Sequence, residues 1–343
     1  MSQPEIAITI ALAGQPNSGK SSVFNDLTGQ SQYVSNWPGK TCEQKTGVYR
    51  HNGADVYVVD LPGAYSLTAN SIEEKTARDF IIKCRPDVVA VVVDAVSLER
   101  NLYLVAELLG QPVPLVVGIN RLDLAEQQGM KIETHVLQAA LGLPVVPLVA
   151  SRGEGVVALI DAAVQVALDP KPQAPNRPEI RQDHQDVLCQ IGNLIAGHVP
   201  EPFPRDWVAL KLLEGDDEIT RLMIEAMGEK WEQVQAILLN HDDAFLAVAS
   251  GRYEWIGRMV RAAVANPRAG QVTITDRLDR LTTHPVLGLI ILLTVLGLLF
   301  WLTYAIGVPI QTWMEANIVQ ASAEWLRMVL AGAPTWLTGI LAD

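Results

Sequence analysis

Cysteine is scarce in this chain: three in 343 residues, Cys42, Cys84 and Cys189, far apart and odd in number. They form neither a disulfide framework nor a Cys-x-x-Cys metal pattern, and they suit a reducing cytosol. Basic residues are in deficit, 26 Lys and Arg against 38 Asp and Glu, for a net charge of −12. A nucleic-acid-binding surface needs a basic face to neutralise phosphates, so nucleic acid is not an expected partner. Met1 to Glu5 lack the basic region and cleavage site of a signal peptide. The apolar stretch Ile6 to Ala13 that follows reads as a buried strand. One stretch lacks charge entirely. Pro285 to Met314 carries no Asp, Glu, Lys or Arg, and about 20 apolar residues suffice to cross a bilayer. The expectation is a membrane span over 285–310. Arg277 and Arg280 precede it and Glu315 and Glu324 follow it, which places the N-terminal part in the cytoplasm by the positive-inside rule. Residues 311–343, with charges and several Trp, read as an amphipathic, interfacial tail against the lipid.

The length predicts two or three units. Residues 1–170 alternate apolar runs with helical patterns; the runs are Ile6–Ala13, Val56–Asp60, Val88–Asp94, Pro114–Asn120 and Pro144–Val149. Such runs predict a mostly parallel α/β sheet covered on both faces. Thr46–Arg50 and Val56–Asp60 flank His51-Asn52-Gly53-Ala54-Asp55, and Asn-Gly is a hairpin signal, so one antiparallel strand is expected. Asp169 to Pro178 holds four prolines and reads as a linker. Residues 178–268 read as a small all-α domain, with helices over Val187–Ile195, Trp207–Leu213, Glu218–Met227, Lys230–Leu239 and Tyr253–Ala265.

Gly14-Gln15-Pro16-Asn17-Ser18-Gly19-Lys20-Ser21 fits the phosphate-binding loop pattern, after a strand and before a helix beginning at Ser22. Backbone N–H groups of such a loop cradle the β-phosphate, Lys20 neutralises β/γ charge, and the Ser21 hydroxyl ligates Mg²⁺. Asp60-Leu61-Pro62-Gly63 closes the next core strand. There Asp60 can hold Mg²⁺ through water and Gly63 can give its N–H to the γ-phosphate. Asn120-Arg121-Leu122-Asp123 follows a third strand. The Asp123 carboxylate can accept from guanine N1–H and N2–H₂, a donor pair that adenine lacks. Ala150, next to Ser151, is placed to donate its N–H to guanine O6. In this order the motifs favour GTP and GDP over adenine nucleotides. Thr41 lies where a GTPase closes on Mg²⁺ and the γ-phosphate, and Ala64 stands where Ras-type enzymes carry a water-orienting glutamine. Glu73 and Glu74 read as a solvated helix start, and His241-Asp242-Asp243 as a polar turn, since consecutive residues on a helix do not converge on one ion.

Asn36-Trp37-Pro38-Gly39 with Thr41 and Glu43, and Asp60-Leu61-Pro62-Gly63-Ala64-Tyr65-Ser66-Leu67, closely resemble the ferrous iron transporter family FeoB, as do Arg252-Tyr253 and Thr275 to Arg280. The resemblance implies a Ras-like GTPase domain, a helical domain that slows GDP release, and a first transmembrane helix of an Fe²⁺ transporter in the bacterial inner membrane. It implies a K⁺ ion beside the phosphates, held by the Asn17 side chain and the carbonyls of Ser35 and Trp37, that speeds an otherwise slow hydrolysis. As partners it implies the remaining membrane domain and small cytosolic Feo accessory proteins. Two other readings stay open. One is a soluble GTPase of ribosome assembly or tRNA modification, which the acidic charge and uncharged span oppose. The other is a GTP-sensing adaptor without useful turnover, which Ala64 keeps alive.

Overall fold

In a computed structural model of the chain, residues 8–29, 32–36, 43–51, 54–68, 71–169, 171–180, 182–241, 243–265, 282 and 286–329 are described. The residues fall into two compact units, 1–267 and 268–343.

Strand β1 (Ile8–Gly14) is buried at every position and lies at the centre of a seven-stranded sheet. It pairs in parallel with β4 (Ala54–Asp60) on one side and β5 (Val88–Asp94) on the other. Beyond β5 come β6 (Leu115–Asn120) and β8 (Val145–Pro147), both parallel. Beyond β4 comes β3 (Glu43–His51), antiparallel in the register Lys45↔Asp60 to His51↔Ala54. The expected Asn52-Gly53 turn between them lies outside the described residues. A strand without a clear sequence signal, β2 (Gln32–Asn36), edges the sheet and is antiparallel to β3. Within the sheet, β3 is therefore the one strand that runs against the rest.

Side chains of period two supply both faces. Ile8, Ile10 and Leu12 of β1, with Val88, Ala90 and Val92 of β5, pack against helix α1 (Lys20–Thr28) and helix α6 (Val156–Leu168). Ala11 and Ala13, with Val89, Val91 and Val93, face α3 (Leu98–Leu108), the turn after α2 (Ile72–Asp79) and α5 (Thr134–Leu141). α4 (Leu122–Gln127) and the short strand β7 (Lys131–Ile132) join β6 to α5.

Four helices, α7 (Gln182–Ile195), α8 (Arg205–Leu213), α9 (Asp217–Met227) and α10 (Trp231–Leu239), share a third core built on Ile191, Ile195, Trp207, Leu212, Met223 and Val234. Asp216 caps α9 by accepting from Glu218 N–H and Ile219 N–H at 3.0 and 3.1 Å. The fifth helix, α11 (Ala244–Ala263), begins nine residues before the expected Tyr253. Its apolar face, Trp255, Ile256, Met259 and Ala263, belongs to the core under α3 and α5 of the nucleotide-motif half rather than to its own bundle. The Trp255 indole N–H donates to the Asn176 carbonyl at 3.2 Å. Strand β9 (Val264–Ala265) then pairs with β7. The linker is therefore clamped under α11.

Cys189 is free and exposed. Cys84 is buried in the core beneath α3.

Among the described residues of the second unit one helix is long and apolar enough to cross a membrane, Leu287–Ser322, with none of its apolar window buried in protein. Helical residues run from Leu287 to Val329, passing through two π turns at Thr303–Gly307 and Glu315–Val319. No break separates a span from a tail at residue 310; residues 330–343 lie outside the described residues. The hydroxyls of Thr294, Thr303 and Thr312 donate to carbonyls four residues back at 2.8 to 2.9 Å, which satisfies them without water.

Trp255 is wholly buried. Trp255→Ala should cost about 3–5 kcal/mol, read as an earlier denaturant midpoint of the whole 1–267 unit rather than of the α bundle alone.

Candidate functional site

The phosphate-loop residues join the end of β1 to the start of α1. Asn17 and Gly19 adopt left-handed backbone, φ 66° and 93°. At Gly19 an added Cβ would lie 2.0 Å from Asn120 Nδ2, so the loop closes on Asn120 only because position 19 has no side chain. Asn120 donates from Nδ2 to the Ser18 carbonyl and accepts at Oδ1 from the Ala150 N–H, both at 2.9 Å. One buried amide thus ties the phosphate loop to the loop after β8.

Gln15, Pro16, Asn17, Gly19, Lys20, Ser21, Ser22 and Gly63 line a cleft of about 550 Å³ together with Glu73 and Arg121. Lys20 Nζ forms a salt bridge with Asp60, which puts the phosphate lysine and the metal-side carboxylate at one point. Gly63 lies against Pro16, 3.1 Å from where a Cβ would be. The Ala64 N–H donates to the Gly14 carbonyl at 3.2 Å, and its methyl is buried in the core. A glutamine in that pose could not reach the cleft.

At the other end, Asp123 opens the first turn of α4 and sits 3.6 Å from Arg152, beside Ala150 and Ser151. Asn17, Gly19, Lys20, Ser21, Ser22 and Gly63 thus line one cleft, with Gly14 and Ser18 in the same loop and Asp60 on Lys20; Asn120 joins that loop to Ala150, which precedes Ser151 and the Arg152 that meets Asp123. The Ala150 N–H expected to face a base is engaged by Asn120. Arg121, which also lines the cleft, has its head on Asp94 at 2.8 Å. Ser35 lies in β2; Trp37 and Thr41 lie outside the described residues.

The segment after Gly63 holds residues that sequence reasoning undervalued. Glu74 is buried and accepts from the N–H groups of Tyr65 and Ser66 at 3.3 and 3.2 Å; only Glu73 is exposed. The helix-cap pattern that begins at Ser71 was the available signal, since Ser71 Oγ accepts the Glu74 N–H. The Leu67 N–H donates to Glu107 on α3. Lys211 on α8 donates to the Thr68 hydroxyl at 2.9 Å and lies 3.3 Å from Glu107 and 2.7 Å from Glu214. Arg252 on α11 bridges Glu214, Glu107 and the Tyr103 hydroxyl. A second cluster joins Arg78 and Lys75 of α2 to Glu218 of α9 at 2.9 and 2.6 Å. Burial alone would raise the Glu107 carboxyl, but Lys211 and Arg252 outweigh it and hold the group below its ordinary value. Burial would lower Lys211, yet Glu107 and Glu214 keep it raised.

Fold and loops define a Ras-like P-loop GTPase domain with a helical domain docked on it. Residues 8–163 match the family Ferrous iron transport protein B, and residues 183–265 match the FeoB cytosolic helical domain. The chain belongs to the FeoB family. It is 37% identical over 347 residues to the Fe(2+) transporter FeoB of Escherichia coli K12, covering 98% of this chain and 44% of that protein. The chain thus spans less than half the length of such relatives. Among solved structures it is similar to an S. thermophilus NFeoB point mutant bound to GDP, with 33% identity, TM-score 0.66 and coverage of 75% of this chain and 100% of that one. It is also similar to the cytosolic domain of the T. maritima FeoB iron transporter in a GDP form, with 34% identity, TM-score 0.65 and coverage of 77% and 100%.

Glu107→Gln should cost about 3–5 kcal/mol at neutral pH, because Lys211 and Arg252 lose a buried counter-charge. A carboxyl held low in the fold stabilises above its unfolded value, here 4.5, and that contribution is lost as pH falls through the folded value. The gap between wild type and variant should therefore narrow at about pH 3, as read by chemical unfolding at both pH values.

Proposed function

We propose that this chain binds GTP and Mg²⁺ and hydrolyses GTP to GDP and phosphate, as the cytosolic regulatory part of a ferrous iron transporter. The observation that carries the reading is Asn120, which locks a phosphate loop whose Gly19 tolerates no Cβ to the loop that lies beside Asp123. The T. maritima and S. thermophilus relatives were solved with GDP, which supports the same ligand here.

In this reading the backbone of Gly14 to Ser21 holds the phosphates, and Lys20 exchanges Asp60 for phosphate oxygen. Ser21, Asp60 and Thr41 would hold Mg²⁺, which supplies positive charge between the β- and γ-phosphates. Asp123 accepts from the guanine N–H donors while Arg152 balances its charge. Ser151, or an Ala150 N–H shared with Asn120, takes the guanine O6. Water attacks the γ-phosphorus, the bond to the β–γ bridging oxygen breaks, and GDP leaves with that electron pair. The buried Ala64 cannot orient the water. Asn17, exposed in the cleft on left-handed backbone, with the carbonyls of Ser35 and Trp37, would hold a K⁺ whose charge offsets that developing at the γ-phosphate. Gly63 would complete the site with its N–H.

The uncharged helix anchors this part to the bacterial inner membrane with the GTPase domain in the cytoplasm. The iron path, the rest of the membrane domain and the small Feo accessory proteins concern the whole transporter. The family match disfavours a ribosome-assembly GTPase. A sensing adaptor without turnover is the reading that failure of the hydrolysis test below would favour.

Asp123→Ala should weaken GDP and GTP binding by about 10²-fold or more, because a charge-assisted pair of bonds to the base is lost; fluorescent-nucleotide titration measures it, and unchanged affinity refutes the base assignment. Phosphate release should be faster in K⁺ than in Na⁺, and Asn17→Ala should abolish that difference while sparing GDP affinity. Equal rates in both salts would remove K⁺ from the mechanism.

A further inference from the structure

Away from the nucleotide cleft, the helical domain gathers three metal-ligating side chains that the sequence kept 57 residues apart. His184 lies in the first turn of α7, His241 in the turn between α10 and α11, and Asp243 at the N-cap of α11. One ligand atom from each lies within 4.8 Å of the other two. His184 Nε2 and Asp243 Oδ1 are 3.3 Å apart, and the two imidazoles meet edge to face with centroids 5.9 Å apart. The His184 side chain is 3% exposed and that of Asp243 is 58% exposed. The cluster therefore has a fixed inner ligand and an outer ligand open to solvent.

We propose that His184, His241 and Asp243 form a binding site for one divalent transition-metal ion on the cytosolic helical domain. Two imidazole nitrogens and one carboxylate suit Fe²⁺, Co²⁺, Zn²⁺ or Mn²⁺, whereas Mg²⁺ and Ca²⁺ favour all-oxygen shells. Ligands about 2.1 Å from one ion at a tetrahedral angle stand about 3.4 Å apart. The 3.3 Å between His184 and Asp243 fits that spacing and exceeds the roughly 2.7–2.9 Å of a charge-assisted hydrogen bond. The widest pairing, up to 4.8 Å, exceeds the span that one ion bridges, about 4.2 Å. Closing it to the tetrahedral spacing takes about 1.4 Å, a rotamer adjustment shared between His241 and the exposed Asp243 while His184 stays fixed. Three protein ligands leave coordination positions for water, so the ion would enter and leave from solvent.

The polar-turn reading of His241-Asp242-Asp243 rested on the failure of consecutive residues to converge. His241 and Asp243 nonetheless bring ligand atoms within 4.8 Å of each other, and the third ligand comes from α7. A bound ion would tie the start of α7 to the start of α11, the helix whose Trp255 is buried in the GTPase core. The site depends on none of the nucleotide chemistry proposed above.

The test uses the full chain in detergent, purified without a histidine tag, with GDP and excess Mg²⁺ present so that oxygen sites are filled. Co²⁺ is titrated in by calorimetry and visible absorption. The expected result is one Co²⁺ per chain with d–d bands of imidazole ligation. His241→Ala and Asp243→Asn, both at solvent-accessible positions, should each weaken it by about 10-fold or more and leave GDP affinity unchanged. His184→Ala removes a buried side chain and is read only after its far-UV circular dichroism matches wild type. A wild-type chain that takes up no Co²⁺ under these conditions overturns the proposal, as does binding unchanged in either His241→Ala or Asp243→Asn. Loss of GDP affinity with intact Co²⁺ binding would count against the nucleotide assignment and not against this site.

Discussion

Four buried charges hold the cytosolic part together. Glu107 from α3, Lys211 from α8, Glu214 at its C-cap and Arg252 from α11 meet between the sheet half and the α bundle, each side chain at most 7% exposed. Two acids and two bases cancel, so no net charge is taken out of water, but each group would be costly if stranded alone. Such a set is poor glue compared with hydrocarbon of the same volume and a strong determinant of register, because only one docking of the helices pairs all four. Backbone from the loop after Gly63 is included in it: Leu67 donates to Glu107, and the Thr68 hydroxyl accepts from Lys211. Displacing Leu67 alone leaves a buried N–H unpaired, at about 1–3 kcal/mol, so movement of this loop and movement of α8 and α11 are mechanically linked.

The loop is held from its other side by Glu74, whose single carboxylate oxygen takes two consecutive N–H groups. Upstream, Ala64 N–H is fastened to Gly14 of the phosphate loop. The stretch 64–68 thus reads both the nucleotide cleft and the helical domain, with no long side chain of its own at position 64. Asn120 plays the matching part on the base side. It cross-links two loops by one amide, and it can do so only because Gly19 leaves room for it. Both ends of the cleft are positioned by backbone hydrogen bonds to buried side chains rather than by the residues that would touch a ligand.

Much of this was legible in the chain. Continuous runs such as Val88–Asp94 announced strands covered on both faces, and the glycine and Asn-x-x-Asp spacings placed the cleft at their ends. What escaped detection depended on partners distant in sequence. β2 is a short polar strand, Gln32–Asn36, that forms only against β3. β7 and β9 are two residues each and define one another. Residues 244–252 of α11 have little helical periodicity, because that helix serves the α bundle with Ala244 and the GTPase core with Trp255. Glu74 looked solvated because a helix's first turn usually is, and its burial is set by the loop that folds back over it. His184 offered no signal, since its companions lie more than fifty residues on, in the turn before α11.

The long apolar helix illustrates the limit of composition from the other direction. At about 1.5 Å per residue, the 36 residues Leu287–Ser322 extend about 54 Å, against a hydrocarbon layer of about 30 Å. Tilt absorbs only part of that excess, since even about 40° from the normal leaves roughly 41 Å. One end must therefore emerge, and the sequence says which. From Leu287 to Phe300 the only polar side chain is Thr294, which is bonded back to the Ile290 carbonyl. Gln311, Glu315, Asn317 and Gln320 crowd the second half. Pro309 enters just after the π turn Thr303–Gly307, where a widened backbone takes up its missing N–H without breaking the helix. A helix can thus leave the apolar layer without ending, and a boundary drawn from hydropathy near residue 310 marks a change of solvent rather than a change of structure.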